Sequence, residues 1–175
     1  AGAVIAQLAP SKERLAFVCT VATDFSHIVG RVNDALQLPG LTTAQGVVLT
    51  HKGKMRDFCK EHGHAHPAYI YAKKKEDVEL WAQANPSADG FVIKPVQNMG
   101  ARGVMFLKTA EELAFAFEFA SCQDKNGEVI LEHYVPAREI SVDALCFEGK
   151  VFLTGVADRL IEIKDRHFFI ENGHS

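Results

Sequence analysis

No stretch of this 175-residue sequence stays apolar for the roughly eighteen residues that a membrane-spanning helix requires, because charged side chains interrupt every hydrophobic run. No targeting segment is visible either. Blocks of single-sign charge are also lacking: 19 Lys and Arg against 22 Asp and Glu are interspersed along the chain, for a net charge of -3. Long-range attraction to nucleic acid or to an anionic membrane therefore has no evident source, and any phosphate chemistry must come from a local site. The four cysteines, Cys19, Cys59, Cys122 and Cys146, form no CxxC pair. A disulfide framework or structural zinc site is unsupported, a reducing cytoplasm is the default compartment, and the thiols are expected to be small core residues. Internal repeats and low-complexity linkers are absent as well.

At 47% hydrophobic and 23% charged, the composition is that of a soluble globular protein with enough apolar material for one or two lobes. The chain starts at Ala1 without a methionine and ends soon after the apolar Phe168-Phe169-Ile170. That reads as a fragment or a trimmed product.

Local patterns predict the following order. Leu15 to Val21 reads as a strand, Thr23-Asp24-Phe25-Ser26 as a capped strand-to-helix turn, and Ile28 to Leu36 as a helix closed by Leu38-Pro39-Gly40. A second helical pattern runs from Thr42-Thr43 to about His62, with Gly63 placed to end it. Tyr69 to Tyr71 reads as a strand, Glu76 to Ala84 as a helix, Phe91 to Val96 and Val104 to Leu107 as strands. Thr109-Ala110-Glu111-Glu112 is a capping box, so a helix should follow through about Ser121, with Phe115 and Phe119 on its core face and Phe117 pointing elsewhere. Asn126-Gly127 is the strongest turn signal and leads into a strand from Glu128 to His133; Glu139 to Phe147 should then pair with Val151 to Val156. The fold class is α/β in the α+β sense: a βα piece, a mixed β-β-α-β lobe, then the start of an antiparallel sheet.

Lys94-Pro95 ends one strand, and Gly100-Ala101-Arg102-Gly103 turns the chain before the next. Such a hairpin can fold over phosphates, because glycines admit close backbone approach, amides donate to phosphate oxygens and lysine supplies a compact charge. Alone, the same residues would equally be a hairpin turn and a strand-edge charge. The turn is neither a P-loop nor a dinucleotide fingerprint.

Read with His51-Lys52, Gly63, Pro67 and the segment Val129-Ile130-Leu131-Glu132-His133-Tyr134-Val135-Pro136-Ala137-Arg138-Glu139-Ile140-Ser141, the turn completes four ordered blocks that resemble the ATP-grasp superfamily over nearly the whole chain. The family's turn commonly reads Gly-Ser-Arg-Gly-Val; here Ala101 replaces the serine, so a contact there must come from the backbone. Its hinge looks like Val-Leu-Val-Glu-Glu-Phe-Ile-x-Gly-x-Glu-x-Ser, and Ala137 stands where glycine is usual.

The resemblance implies the end of a Rossmann-like pre-ATP-grasp domain (1–48), the helical linker and small glycine-loop lobe (49–135), and the start of the antiparallel large lobe (136–175). It also implies an ATP site. Lys52 and Lys94 would neutralise phosphates, Gly100, Ala101, Arg102 and Gly103 would cover them, backbone groups of Glu132 and Val135 in the stretch Glu132-His133-Tyr134-Val135 would read adenine, and Glu139 would accept from ribose. Magnesium is implied as a cofactor with its ligands outside this chain, since Glu171 and Asn172 do not fit the family's metal block. The implied reaction is activation of a small-molecule carboxylate as an acylphosphate for attack by an amine, with no nucleic-acid or membrane partner and a homodimer left open. The implied fragment would not turn over alone. Alternatives are phosphorylation of bicarbonate, as in carbamoyl-phosphate synthase or biotin carboxylase, and a non-catalytic nucleotide-binding module. His62, His64 and His66 read as a solvated helix end rather than a metal site, and Lys73-Lys74-Lys75 as a solvated junction.

Overall fold

The structure, a computed structural model, describes residues 1–20, 25–165 and 167–175. Helices α1 (Gly2–Leu8), α2 (Ser26–Leu36), α3 (Thr43–Thr50) and α4 (Lys52–Glu61) precede strand β1 (Tyr69–Ala72). Helix α5 (Lys75–Ala84), strands β2 (Phe91–Pro95) and β3 (Met105–Leu107), helix α6 (Leu113–Ser121) and strand β4 (Val129–His133) follow. Strands β5 (Ile140–Phe147), β6 (Lys150–Lys164) and β7 (Phe168–His174) complete the chain. Two antiparallel sheets result, one in the order β1-β4-β2-β3 and the other β5-β6-β7.

Period-two alternation in the first sheet separates packing from chemistry. Val92 lies opposite Glu132 and Phe106, and Glu132 opposite Tyr69, so these four project to one face. The intervening row, Ile70, Leu131, Ile93 and Met105, projects to the other. That second face joins Val78 and Ala82 of α5 and Leu113, Ala116, Phe117 and Ala120 of α6 in the hydrophobic core. Helix α4 packs on the first face: its Gly53 abuts the Tyr71 ring so closely that a Cβ would stand 2.5 Å from it.

Several expectations need correction. Residues 15–20 form no strand, Phe17 is exposed, and Val21, Thr23 and Asp24 lie outside the described residues. Among the described residues no strand pairs with this segment; the Val18 carbonyl instead accepts from the Asn33 side chain at 3.3 Å. The long helix expected to His62 is two helices broken at His51, whose extended backbone (φ -112°, ψ 105°) caps the second: its Nδ1 accepts from the Lys54 N–H at 3.2 Å. The capping box at Thr109 and Glu112 forms, but first closes a 3-10 turn over Ala110–Glu112. Helix α6 therefore buries positions 113, 116, 117 and 120, which puts Phe117 in the core and leaves Phe115 exposed and stacked on Phe119 at 6.3 Å. The cysteines are not core residues: Cys19, Cys122 and Cys146 are exposed and Cys59 is half-buried. The second sheet extends beyond the expected hairpin, since β6 continues to Lys164 and pairs with β7. It buries little; Leu145, Phe147, Phe152 and Leu153 are all exposed.

Gly90 turns the chain into β2 at φ +96°, and a Cβ there would stand 2.4 Å from the Leu107 carbonyl oxygen. Gly100 has φ +64° with no atom within 4 Å of the corresponding position. Gly90→Ala should thus cost more than Gly100→Ala, about 2–3 kcal/mol against about 1 kcal/mol, because only the first adds a backbone clash to the strained φ. Urea unfolding of the two variants checks this ordering; equal losses would contradict it.

Candidate functional site

Between the sheets lies a cleft of about 430 Å³. The chemistry-bearing face of the first sheet supplies Val92, Lys94 and Glu132, α4 supplies Arg56, and the connector to β5 supplies Tyr134, Val135 and Glu139. The second sheet closes it with Arg159, Ile161 and Phe169.

Glu132 sits at the centre of this arrangement with only 4% of its side chain exposed. Its Oε2 lies 2.5 Å from Lys94 Nζ and its Oε1 2.5 Å from Arg56 Nε. Burial acts to raise the carboxyl's pKa, but the charge of Lys94 and the hydrogen bond from Arg56 outweigh it and hold the group below its usual range. Lys94 pairs in register with Ile130, so it reaches Glu132 diagonally across the same face of the ladder. Arg56 comes four residues after Lys52 on α4, one helical turn along.

The start of α4 is tied to the sheet by separate bonds. The Lys52 N–H donates to the Val96 carbonyl at 3.0 Å, and Lys52 Nζ donates to the Asn98 carbonyl at 2.8 Å. His51 Nε2 lies 3.2 Å from Glu128 Oε2. Because Nδ1 of that ring accepts from Lys54 N–H, Nε2 carries the proton and donates to the carboxylate. Asp124, also buried, accepts from the N–H groups of Gln97, Asn126 and Glu128, which fixes the loop after β2 beside the turn into β4.

The glycine turn holds three left-handed residues, Gly100 (φ 64°), Ala101 (φ 55°) and Gly103 (φ 75°). Gly103 leaves no room for a side chain, since a Cβ would stand 2.7 Å from Pro95 Cγ. Ala101 lines the cleft; Gly100, Arg102, Gly103 and Lys52 do not. The Arg102 Nε instead donates to the Met99 carbonyl at 3.2 Å. His133 reaches the cleft, but its ring packs near Trp81 and Phe91, with Nε2 2.9 Å from the Asn85 carbonyl. Tyr134 meets Phe106 edge to face at 4.9 Å, with Phe169 beside both. Glu139 accepts from Arg159 Nη1 at 2.9 Å, and Arg159 Nη2 donates to Glu171 at 2.7 Å. The bond from Arg159 holds the Glu171 carboxyl below its usual range.

Sequence reading missed Arg56, Arg159 and the His51–Glu128 link. A signal existed for Arg56 in its helical spacing from Lys52, whereas Arg159 and Glu128 meet their partners only through the tertiary fold. Among the described residues no group of three or more His, Cys, Asp or Glu could hold a metal ion.

Two antiparallel sheets clasping a cleft lined by the cationic side chains of Arg56, Lys94 and Arg159 form a fold shared with solved ligase and carboxylase structures. An L-amino acid ligase from Bacillus licheniformis superposes with a TM-score of 0.68 at 19% identity, covering 89% of this chain and 35% of that one. The biotin carboxylase domain of a 2-oxoglutarate carboxylase from Hydrogenobacter thermophilus, in complex with magnesium–ADP and bicarbonate, superposes with a TM-score of 0.69 at 16% identity, covering 91% and 38%. In sequence, the chain is 26% identical over 151 residues to a D-alanine–D-alanine ligase of Acidiphilium cryptum, covering 82% of this chain and 46% of that protein. Residues 49–175 match the family described as the ATP-grasp domain, and the chain belongs to that family. It spans less than half the length of the curated relatives it matches.

The Glu132 cluster sets a pH dependence. Its carboxyl is depressed in the folded chain, so the pairing contributes stability above the unfolded value of about 4.3 and is lost as pH falls through the folded value. The melting temperature of the chain should fall below that pH, and Glu132→Gln should flatten the fall while lowering the neutral-pH melting temperature. Differential scanning calorimetry between neutral pH and pH 3 reads both.

Proposed function

We propose that this chain is the nucleotide-holding part of an ATP-grasp ligase that activates a carboxylate as an acylphosphate for attack by an amine. The observation that carries the proposal is the convergence on one cleft of Lys94, the Ala101 turn and the 132–139 connector, which lie far apart in sequence. Family membership of residues 49–175 and the ligase relative support it.

In this reading the adenine enters between Val92, Tyr134, Ile161 and Phe169, an apolar slot edged by backbone polar groups. Glu132 and Val135 present backbone groups to its edge, and Glu139, already oriented by Arg159, accepts from the ribose. Lys94 faces the phosphates beside Ala101 of the 100–103 turn, and Arg56, through Glu132, positions Lys94. Lys52, bonded to the Asn98 carbonyl outside the cleft lining, would exchange that bond for a phosphate oxygen when the turn closes. Catalysis by such a site is positioning and charge neutralisation, with no side-chain nucleophile. Magnesium would add charge neutralisation at the phosphates from ligands beyond these residues. The domain limits proposed are 1–48, 49–135 and 136–175. Among the described residues no helix is long and apolar enough to cross a membrane. A cytoplasmic location and a homodimer belong to the same proposal. Bicarbonate as the phosphoryl acceptor is a second reading, supported by the biotin carboxylase likeness.

Lys94→Ala should weaken ATP binding by roughly ten- to a hundredfold, the loss of about 1.5–3 kcal/mol from one charge-assisted contact. Isothermal titration with ATP measures this. Undiminished affinity in a variant whose circular dichroism is unchanged would remove Lys94 from the phosphate site.

A further inference from the structure

The four-stranded sheet ends differently on its two sides. At β3 the Phe106 N–H donates to the His167 carbonyl at 2.7 Å, and His167 Nδ1 lies 3.0 Å from the Phe106 carbonyl, so the turn between β6 and β7 covers that edge. Strand β1 forms the opposite edge, and among the described residues no strand pairs with its outer side.

The register identifies the open backbone groups. His133 N–H donates to the Ala68 carbonyl at 2.9 Å, and the pairing continues with Tyr69 opposite Glu132, Ile70 opposite Leu131 and Tyr71 opposite Ile130. Hydrogen-bonded and non-hydrogen-bonded pairs alternate in an antiparallel ladder. Ala68, Ile70 and Ala72 therefore bond to β4, while the N–H and C=O groups of Tyr69 and Tyr71 point outward.

They open on a groove of about 450 Å³ lined by Asp57 and Lys60 of α4, His66, Ala68 to Tyr71, Trp81 of α5 and Asn85 just after that helix. It shares no lining residue with the nucleotide cleft. The Asp57 carboxylate accepts from the hydroxyls of Tyr69 at 2.7 Å and Tyr71 at 2.8 Å, so its charge is already engaged. The Asp57 bond and burial push the Tyr71 hydroxyl up to about 12, and burial with the same bond raises Tyr69, so both remain protonated donors at neutral pH. Lys60 lies on the groove, and Lys73 and Lys74 continue the chain from β1, both exposed. None of these three lysines is in an ion pair among the described residues, although Glu76 and Asp77 follow in the first turn of α5.

We propose that the outer edge of β1 is a strand-addition site for an extended acidic polypeptide segment. Tyr69 and Tyr71 supply backbone hydrogen bonds, Trp81 an apolar surface for an alternate side chain, and Lys60, Lys73 and Lys74 the complementary charge. This inference stands apart from the nucleotide reading, because it uses neither the cleft nor any residue placed there.

Trp81 is the single tryptophan of the sequence and lines the groove, so its emission reports the site directly. The full 175-residue chain would be titrated with a capped nonapeptide alternating glutamate and valine, and with its lysine-for-glutamate counterpart. A saturable blue shift with the glutamate peptide is expected, at least about tenfold weaker with the lysine peptide. Amide exchange at Tyr69 and Tyr71 should slow on binding while Ile70, already in the ladder, is unchanged. Tyr69→Pro removes an outward N–H without touching the β1–β4 bonds, and the triple reversal of Lys60, Lys73 and Lys74 to Glu leaves the core intact; each should weaken binding about fivefold or more. Absence of a saturable shift, equal responses to the two peptides, or protection confined to other strands would overturn the proposal. So would a Trp81 shift driven by protein concentration alone, which would assign the edge to a second copy of the chain.

Discussion

A carboxylate with almost no exposure, held between an arginine and a lysine, is the constraint on which the small lobe depends. Glu132 belongs to β4, Lys94 to β2 and Arg56 to α4, so satisfying one buried charge fixes three elements against one another. Breaking a pair of this kind leaves an uncompensated charge in a poorly solvated place, commonly a loss of about 3–5 kcal/mol. The His51–Glu128 and Lys52–Asn98 bonds act in the same direction at the other end of the helix. Helix α4 is thus attached to the sheet through polar contacts, whereas α5 and α6 are attached to the opposite face through hydrocarbon.

That division follows from the strand period. Each residue on the α4 side is flanked along the strand by residues buried in the core, so the site is assembled on a surface whose reverse is fully packed. A change of one residue in register would carry Lys94 and Glu132 into the core and Ile93 and Leu131 into the cleft. The core therefore enforces the positions of groups it never touches. This accounts for how the architecture is shared with structures only 16–19% identical, since alternation constrains residue class more than residue identity.

Much of the small lobe was legible because local signals agreed with tertiary demand. Asn126-Gly127 makes its turn, with Gly127 at φ 69°, and Thr109 and Glu112 form their reciprocal cap. Of the expected ATP-site residues, Lys94, Ala101, Glu132 to Val135 and Glu139 line one cleft, whereas Lys52, Gly100, Arg102 and Gly103 do not. Failures came where local pattern was ambiguous. Helix α6 is apolar on nearly every side, so only the phase set by the preceding 3-10 turn decides that Phe117 and not Phe115 is buried. Residues 15–20 have the composition of a strand, but among the described residues no strand pairs with them, and Val18 is bonded to the Asn33 side chain instead. The break at His51 was hidden because both flanking segments read as helix, and the deciding interaction, a ring accepting from Lys54 N–H while donating to Glu128, joins residues 77 positions apart. Arg159 met Glu139 by a similar long route, across the β5–β6 pairing.

The covered edge at β3 has a mechanical meaning. Away from the connector at 134–139, the two sheets meet along a seam formed by the reciprocal Phe106–His167 bonds and by the rings of Phe106, Tyr134 and Phe169. Two hydrogen bonds of about 1 kcal/mol each lie within a few multiples of thermal energy, far weaker than the Glu132 cluster that holds the small lobe together. Parting the sheets at this seam would break those two bonds and the ring contacts, including Phe168 on Phe119, while leaving the Glu132 cluster and the hydrogen-bond ladders of both sheets intact.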